Sequence, residues 1–131
     1  MVWSPTNKSA GVVLSNGGLT ATVNVTTNDN HSGRTDTAIT GTQKRYWEVL
    51  DVNNPGPMAG GVGISNSSNS FTAGQWLGQT ANSIGIYPDG TVWHNWNVTG
   101  GSIASGWATW SEGDSLQFAV DRAATKLWFR V

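Results

Sequence analysis

Glu48 and Asp51 are the residues in this chain whose types and closeness most readily suggest chemistry. Glycoside hydrolysis needs two facing carboxylates, one to donate a proton and one to act as base or nucleophile. Both acids fall on a run of strict alternation, Lys44 to Val52, and their spacing of three sends them to opposite faces of a strand. They do not form a catalytic pair from that strand. Glu48, next to Trp47, reads instead as a buried, hydrogen-bonded structural carboxylate. Asp89 in Pro88-Asp89-Gly90 and Asp114 after Gly113 sit where turn chemistry accounts for them.

His31 lies in a polar stretch and His94 between Trp93 and Asn95, and neither has a second His or a carboxylate at metal-ligand spacing. The chain has no cysteine, which removes thiol catalysis, disulfides and Cys-ligated metal sites. It also lacks a Gly-x-Ser-x-Gly elbow and a Gly-x-x-x-x-Gly-Lys phosphate loop. The expectation is a non-enzymatic protein with no metal and no cofactor.

Tryptophan is the informative residue type, with eight in 131 positions. Trp47 and Trp128 alternate inside firm strand patterns, and packing explains them. Trp76, Trp107 and Trp110 sit in glycine-rich polar stretches, and Trp96 closes a strand pattern. A tryptophan so placed can offer a flat apolar face and an N–H donor to a peptide or a sugar. The alternative is that these four plug the open ends of a small sandwich. Both readings stand at this level, and Trp76, Trp96, Trp107 and Trp110 are the candidate ligand-binding residues.

The elements that must position them follow from composition and period. Gly, Ser, Thr and Asn supply 57 of the 131 residues, a composition of turns and β-structure. Thirteen aromatic residues argue against a disordered linker. Seven basic and eight acidic side chains leave a net charge of −1, which lacks the basic footprint that phosphate neutralisation requires. No nucleic-acid partner is expected. No apolar stretch approaches the length of a membrane span, and the N-terminus has no basic-then-apolar leader pattern, so no membrane partner is expected either. The length suits one domain over residues 1–131.

Period-2 alternation dominates. Val12 to Leu14 and Leu19 to Val25 flank Ser15-Asn16-Gly17-Gly18, a hairpin signal, and the second run reads as a half-buried strand. A weak strand is expected near Asp36 to Thr40. Lys44 to Val52 is the clearest strand, with Tyr46, Glu48, Leu50 and Val52 on one side and Trp47, Val49 and Asp51 on the other. Asn53-Asn54-Pro55-Gly56-Pro57 breaks it. Ala59 to Ser65 is a glycine-heavy strand that lets a neighbour approach closely. Ser83 to Tyr87 and Thr91 to Trp96 flank the Pro88-Asp89-Gly90 turn. Ser115 to Asp121 and Lys126 to Val131 complete the set. About eight short strands joined by turns predict an all-β, antiparallel β-sandwich.

The order of these features resembles the SPRY (B30.2-like) family of concanavalin A-like jelly rolls. The resemblance rests on Arg45-Tyr46-Trp47-Glu48-Val49, Gly61-Val62-Gly63-Ile64 and Gly85-Ile86-Tyr87-Pro88-Asp89-Gly90. It continues through Glu112-Gly113-Asp114-Ser115-Leu116 and Asp121 to Lys126-Leu127-Trp128-Phe129, spanning roughly residues 36 to 131. Trp3 and Leu14-Ser15-Asn16-Gly17-Gly18-Leu19-Thr20 are similar to bacterial and phage members.

The resemblance implies a binding module that recognises a protein or peptide through loops at one end of the sandwich. By position those loops are Thr26–Thr35, Asn53–Ala59, Asn66–Asn82 and Asn97–Glu112. The rivals are a lectin-like module stacking a glycan on loop tryptophans and a structural component of a phage or prophage particle. Members of the family continue past the Leu-Trp-Phe strand, whereas this chain ends at Val131. That departure implies an unpaired edge and self-association through the C-terminal strand, or a partner that completes it.

Overall fold

The computed structural model describes residues 1–23, 30–53, 60–71 and 74–131. Ten strands run through them: β1 Trp3–Lys8, β2 Val12–Ser15, β3 Thr20–Val23, β4 Gly33–Thr35 and β5 Lys44–Leu50 in the first half. In the second half are β6 Val62–Ser65, β7 Ser83–Ile86, β8 Val92–His94, β9 Ser115–Asp121 and β10 Lys126–Arg130. A one-turn helix, α1, covers Trp96–Thr99. Every strand pair is antiparallel. The fold is an all-β antiparallel sandwich.

Two three-stranded sheets, ordered β10-β9-β5 and β6-β7-β8, face each other. Strand alternation decides what each sheet turns inward. Trp47, Val49, Leu116, Phe118, Leu127 and Phe129 come from the first sheet, and Val62, Ile84, Ile86 and Val92 from the second. Phe118, Ile86 and Leu116 are the largest fully buried side chains, each stabilising the fold by about 1.5–3 kcal/mol through burial. The two-stranded sheet β1-β4 and the hairpin β2-β3 complete the strand set. Pro5 lies inside β1, an edge strand where a missing N–H is tolerated.

Several expectations are corrected. The weak strand placed near residues 36–40 is instead β4, at Gly33–Thr35, where it pairs with β1. The half-buried strand over residues 19–25 is β3, and its Ala21, Thr22 and Val23 are all exposed, because β3 pairs only with β2 at the periphery. Its last two expected positions, Asn24 and Val25, lie outside the described residues, as do residues 26–29, all of the Asn53–Pro57 breaker but Asn53, and Ala59 at the start of the next expected strand. The Ser15–Gly18 turn forms with Asn16, Gly17 and Gly18 all at positive φ, a path that Asn and Gly adopt at least cost.

Trp128, expected to pack, is half-exposed at 50%. It shares its face of β10 with Lys126 and Arg130, which hold that face toward water. Trp110, a candidate for ligand binding or for plugging an end of the sandwich, is buried in the core and takes the second role. Its ring meets Phe129 edge-on with centroids 5.6 Å apart.

Candidate functional site

The β7–β8 hairpin sorts the loop tryptophans into two groups. Its turn, Tyr87 to Thr91, marks one end of the second sheet, and β8 leads away from that turn to Trp96 at the other end. Trp107 donates its backbone N–H to Gly90 O and Trp110 donates its own to Pro88 O, so both belong to the turn end. Trp76 and Trp96 belong to the opposite end, with ring centroids 5.8 Å apart. The four candidates therefore do not make one platform. The loops divide in the same way: residues 30–35, 66–71 and 74–82 gather at the Trp96 end, and residues 107–110 at the turn end.

At the Trp96 end, Trp76 is the centre of an aromatic cluster. Its ring meets Trp93 at 5.5 Å and Tyr87 at 6.1 Å, both in edge-on contacts. Residues 75–79 lie over the outside of the β6-β7-β8 sheet, where the Ser83 hydroxyl accepts the Gly78 N–H and Gly85 leaves room beneath Leu77. A Cβ at Gly85 would stand 2.5 Å from the Leu77 carbonyl oxygen, so glycine is required by the approach of backbone to backbone. The Tyr87 hydroxyl donates to the same carbonyl at 3.0 Å. Burial pushes that phenol well above its ordinary range, with the Asp89 carboxylate acting in the same direction.

Trp96 stands on this braced base. The chain leaves β8 through Asn95 at φ 54°, a left-handed conformation that Asn tolerates better than most residues. Three backbone hydrogen bonds then strap the start of α1 to the loop beneath: Asn95 to Thr80 O, Trp96 to Gly78 O and Asn97 to Gln79 O, at 3.0–3.2 Å. The Trp96 side chain is left 39% exposed, and Val98 on the same helical turn 78% exposed. An aromatic ring set against Trp76, itself packed on Trp93 and Tyr87, loses little freedom when a ligand covers it.

The polar candidates take structural roles. His31 Nδ1 and the Ser9 hydroxyl are 3.1 Å apart, and the Ser9 oxygen also accepts the Ser32 N–H. Ser9 is buried and Gly11 lies against the imidazole, so the pair ties the β1–β2 segment to residues 31–32. His94 Nδ1 donates to Ser83 O within the hairpin. Arg34 reaches across to Asn66 O and Asn7 and lies over the Phe71 ring. Glu48, expected to be buried, is exposed on the outer side of β5, where it accepts the Tyr46 hydroxyl. Asp51 follows β5 and closes a loop with Gly113 and Asp114 through backbone hydrogen bonds. Among the described residues no group of three or more His, Asp or Glu could hold a metal ion, and no helix is long and apolar enough to cross a membrane.

One constellation escapes the sequence reading. Tyr46, Ala119 and Trp128 are aligned across β5, β9 and β10 on the outer face of their sheet. They line an open depression of about 360 Å³ together with Lys44, Arg45, Val120 and Asp121. Lys44 and Asp121 form an ion pair of 2.8 Å at its edge. The pairing raises the lysine pKa and lowers that of the carboxyl. The signal was present in the alternation: Tyr46 and Trp128 share their faces with Lys44, Glu48, Lys126 and Arg130.

No family model matches the chain, and no curated protein matches it. The functional reading rests on the geometry above.

Proposed function

We propose that this domain is a SPRY-like, non-enzymatic binding module that takes a peptide or protein surface at the end carrying Trp96. The observation that supports this most is Trp96 itself, a half-exposed indole braced by Trp76 and followed on the same turn by the exposed Val98. Interfaces draw most of their energy from a few such aromatic anchors surrounded by adaptable polar groups. Asn95, Asn97, Thr80 and Gln79 supply the polar surround. An exposed aliphatic beside the ring favours a mixed apolar contact, as a peptide makes, over the hydroxyl-rich contact of a sugar.

Trp107, 45% exposed at the opposite end, is too remote in the hairpin to share that contact. The test is selection from a random peptide display library on the immobilised domain, with Trp96→Ala immobilised in parallel as counter-target. Enrichment of peptides that bind the native domain and ignore Trp96→Ala is the expected outcome. Equal enrichment on both surfaces would remove Trp96 from the site.

A further inference from the structure

We infer that the free edge of β5 is a self-recognition surface, on which β5 of a second copy of this chain pairs antiparallel about a two-fold axis at Tyr46. The hydrogen bonds at the two ends of β5 fix which backbone groups are free. Arg122 donates its N–H to Gln43 O and Asp51 donates its own to Asp114 O, so the odd-numbered residues of β5 are those bonded to β9. Lys44, Tyr46, Glu48 and Leu50 therefore turn their N–H and C=O groups the other way. β5 ends its sheet on that side, and among the described residues no backbone hydrogen bond reaches those groups. Lys44, Arg45 and Tyr46 are exposed in succession although they point to alternate faces, as they are when no element lies beyond a strand.

An edge of this kind is completed by another extended chain, and the order of residues along β5 selects which. In antiparallel register centred on Tyr46, the run Lys44-Arg45-Tyr46-Trp47-Glu48 is its own complement. Lys44 falls opposite Glu48 of the second copy, Glu48 opposite its Lys44, and Tyr46 opposite its Tyr46. Arg45 falls opposite Trp47 in both directions. The free backbone groups fit this register, since positions 44, 46 and 48 become the hydrogen-bonded pairs. Arg45 and Trp47 then occupy the alternate positions, where opposed side chains come closest.

The side chains suit these partners. Phe118 covers one face of the Trp47 indole from the β9 side, so the other face looks toward the free edge, where an opposing guanidinium can stack on it. Arg45 has no carboxylate partner among the described residues. Lys44 holds Asp121 with one of its three donors, and Glu48 takes the Tyr46 hydroxyl on one oxygen, which leaves capacity on both for a second partner.

Other edge pairings fit less well. On β10, Lys126 and Arg130 flank Trp128, so self-pairing centred on Trp128 sets like charges opposite each other. Pairing β5 with β10 of a second copy joins unlike faces, because the groups free on β10 belong to Leu127 and Phe129, which pack against the core. A β5–β5 pair consumes the same edge on both copies and closes at a dimer.

The experiment is sedimentation equilibrium of the full chain, with amide exchange of the native protein followed at concentrations below and above the association. A contact of one short strand is small, so the native chain should dimerise reversibly with a dissociation constant on the order of 100 µM. Glu48→Lys sets Lys against Lys and Lys44→Glu sets Glu against Glu, so each variant alone should dimerise about tenfold more weakly or worse. Mixed in equal amounts, the two should associate with each other, because every 44–48 pair between them is again Lys against Glu. Exchange in the native chain should slow at Lys44, Tyr46 and Glu48 as the dimer forms. Trp96→Ala should dimerise as the native chain does, which separates this surface from the peptide site proposed above. The inference is overturned if the native chain stays monomeric up to about 1 mM, if both charge variants dimerise like the native chain, or if the two folded variants ignore each other when mixed. Protection at Leu127 and Phe129 in place of Tyr46 and Glu48 would move the contact to β10 and overturn it equally. The exchange measurement needs no variant, so it decides the matter even where a substitution unfolds the chain.

Discussion

The indole of Trp47 lies flat on the ring of Phe118, with centroids 5.2 Å apart and planes 3° from parallel. The two residues are directly opposite in the β5–β9 register, so sheet pairing itself brings the rings together. Phe118 then meets Phe129 at 5.0 Å, and Phe129 meets Trp110 at 5.6 Å. A continuous row of four rings runs through the sandwich and ends on Trp110, which belongs to no strand.

That row predicts which tryptophans hold the fold. Trp110→Ala should behave like Phe118→Ala and cost about 3–5 kcal/mol in chemical denaturation. Trp128→Ala, on the outer face, should fall within about 0.5 kcal/mol of the native chain. Equal losses at positions 110 and 128 would mean that the two sides of the sheet have been misassigned.

Those two residues also show what the sequence could reveal. Strand β9 and the two strands beside it in the sheet were legible because alternation is strict over Lys44–Leu50, Ser115–Asp121 and Lys126–Arg130. The Pro88-Asp89-Gly90 turn was legible from its turn chemistry. Trp128 was misread because period alone says which residues share a face, not which face is inside. Its neighbours Lys126 and Arg130 carried that information. Trp110 gave no local signal, since its burial depends on folding a long irregular segment back onto Phe129. Trp76 and Trp96 were visible as candidates, yet their separation from Trp107 follows from hairpin geometry that spacing does not encode.

The close approach of the 75–79 segment to β7 predicts a second stability effect. Gly85→Ala places a methyl group against the Leu77 carbonyl and should cost about 1–3 kcal/mol, as overpacking does. Because that segment carries Trp76, the variant should also quench or shift tryptophan emission before global unfolding. A Gly85→Ala variant as stable as the native chain would show that the segment has room to rise.

Alkaline titration tests the buried phenol. The pKa of Tyr87 is raised on folding, so its stabilising contribution is present below the ordinary tyrosine value near 10 and is lost as pH rises toward the higher folded value. Tyr46 is shifted in the same direction, chiefly through its hydrogen bond to Glu48. Tyrosinate absorbance at pH 10 should therefore be well below that of the urea-unfolded chain. Matching absorbance in the two states would contradict the hydroxyl placements at Leu77 and Glu48.

The most direct test of the binding account is the dissociation constant of a library-selected peptide for the native domain and for Trp96→Ala, with thermal midpoints measured on the same samples. Loss of about 2 kcal/mol, roughly thirtyfold in affinity, with the midpoint preserved is the predicted result. An unchanged constant for Trp96→Ala, or a loss that appears only together with unfolding, would contradict the assignment of Trp96 as the anchor.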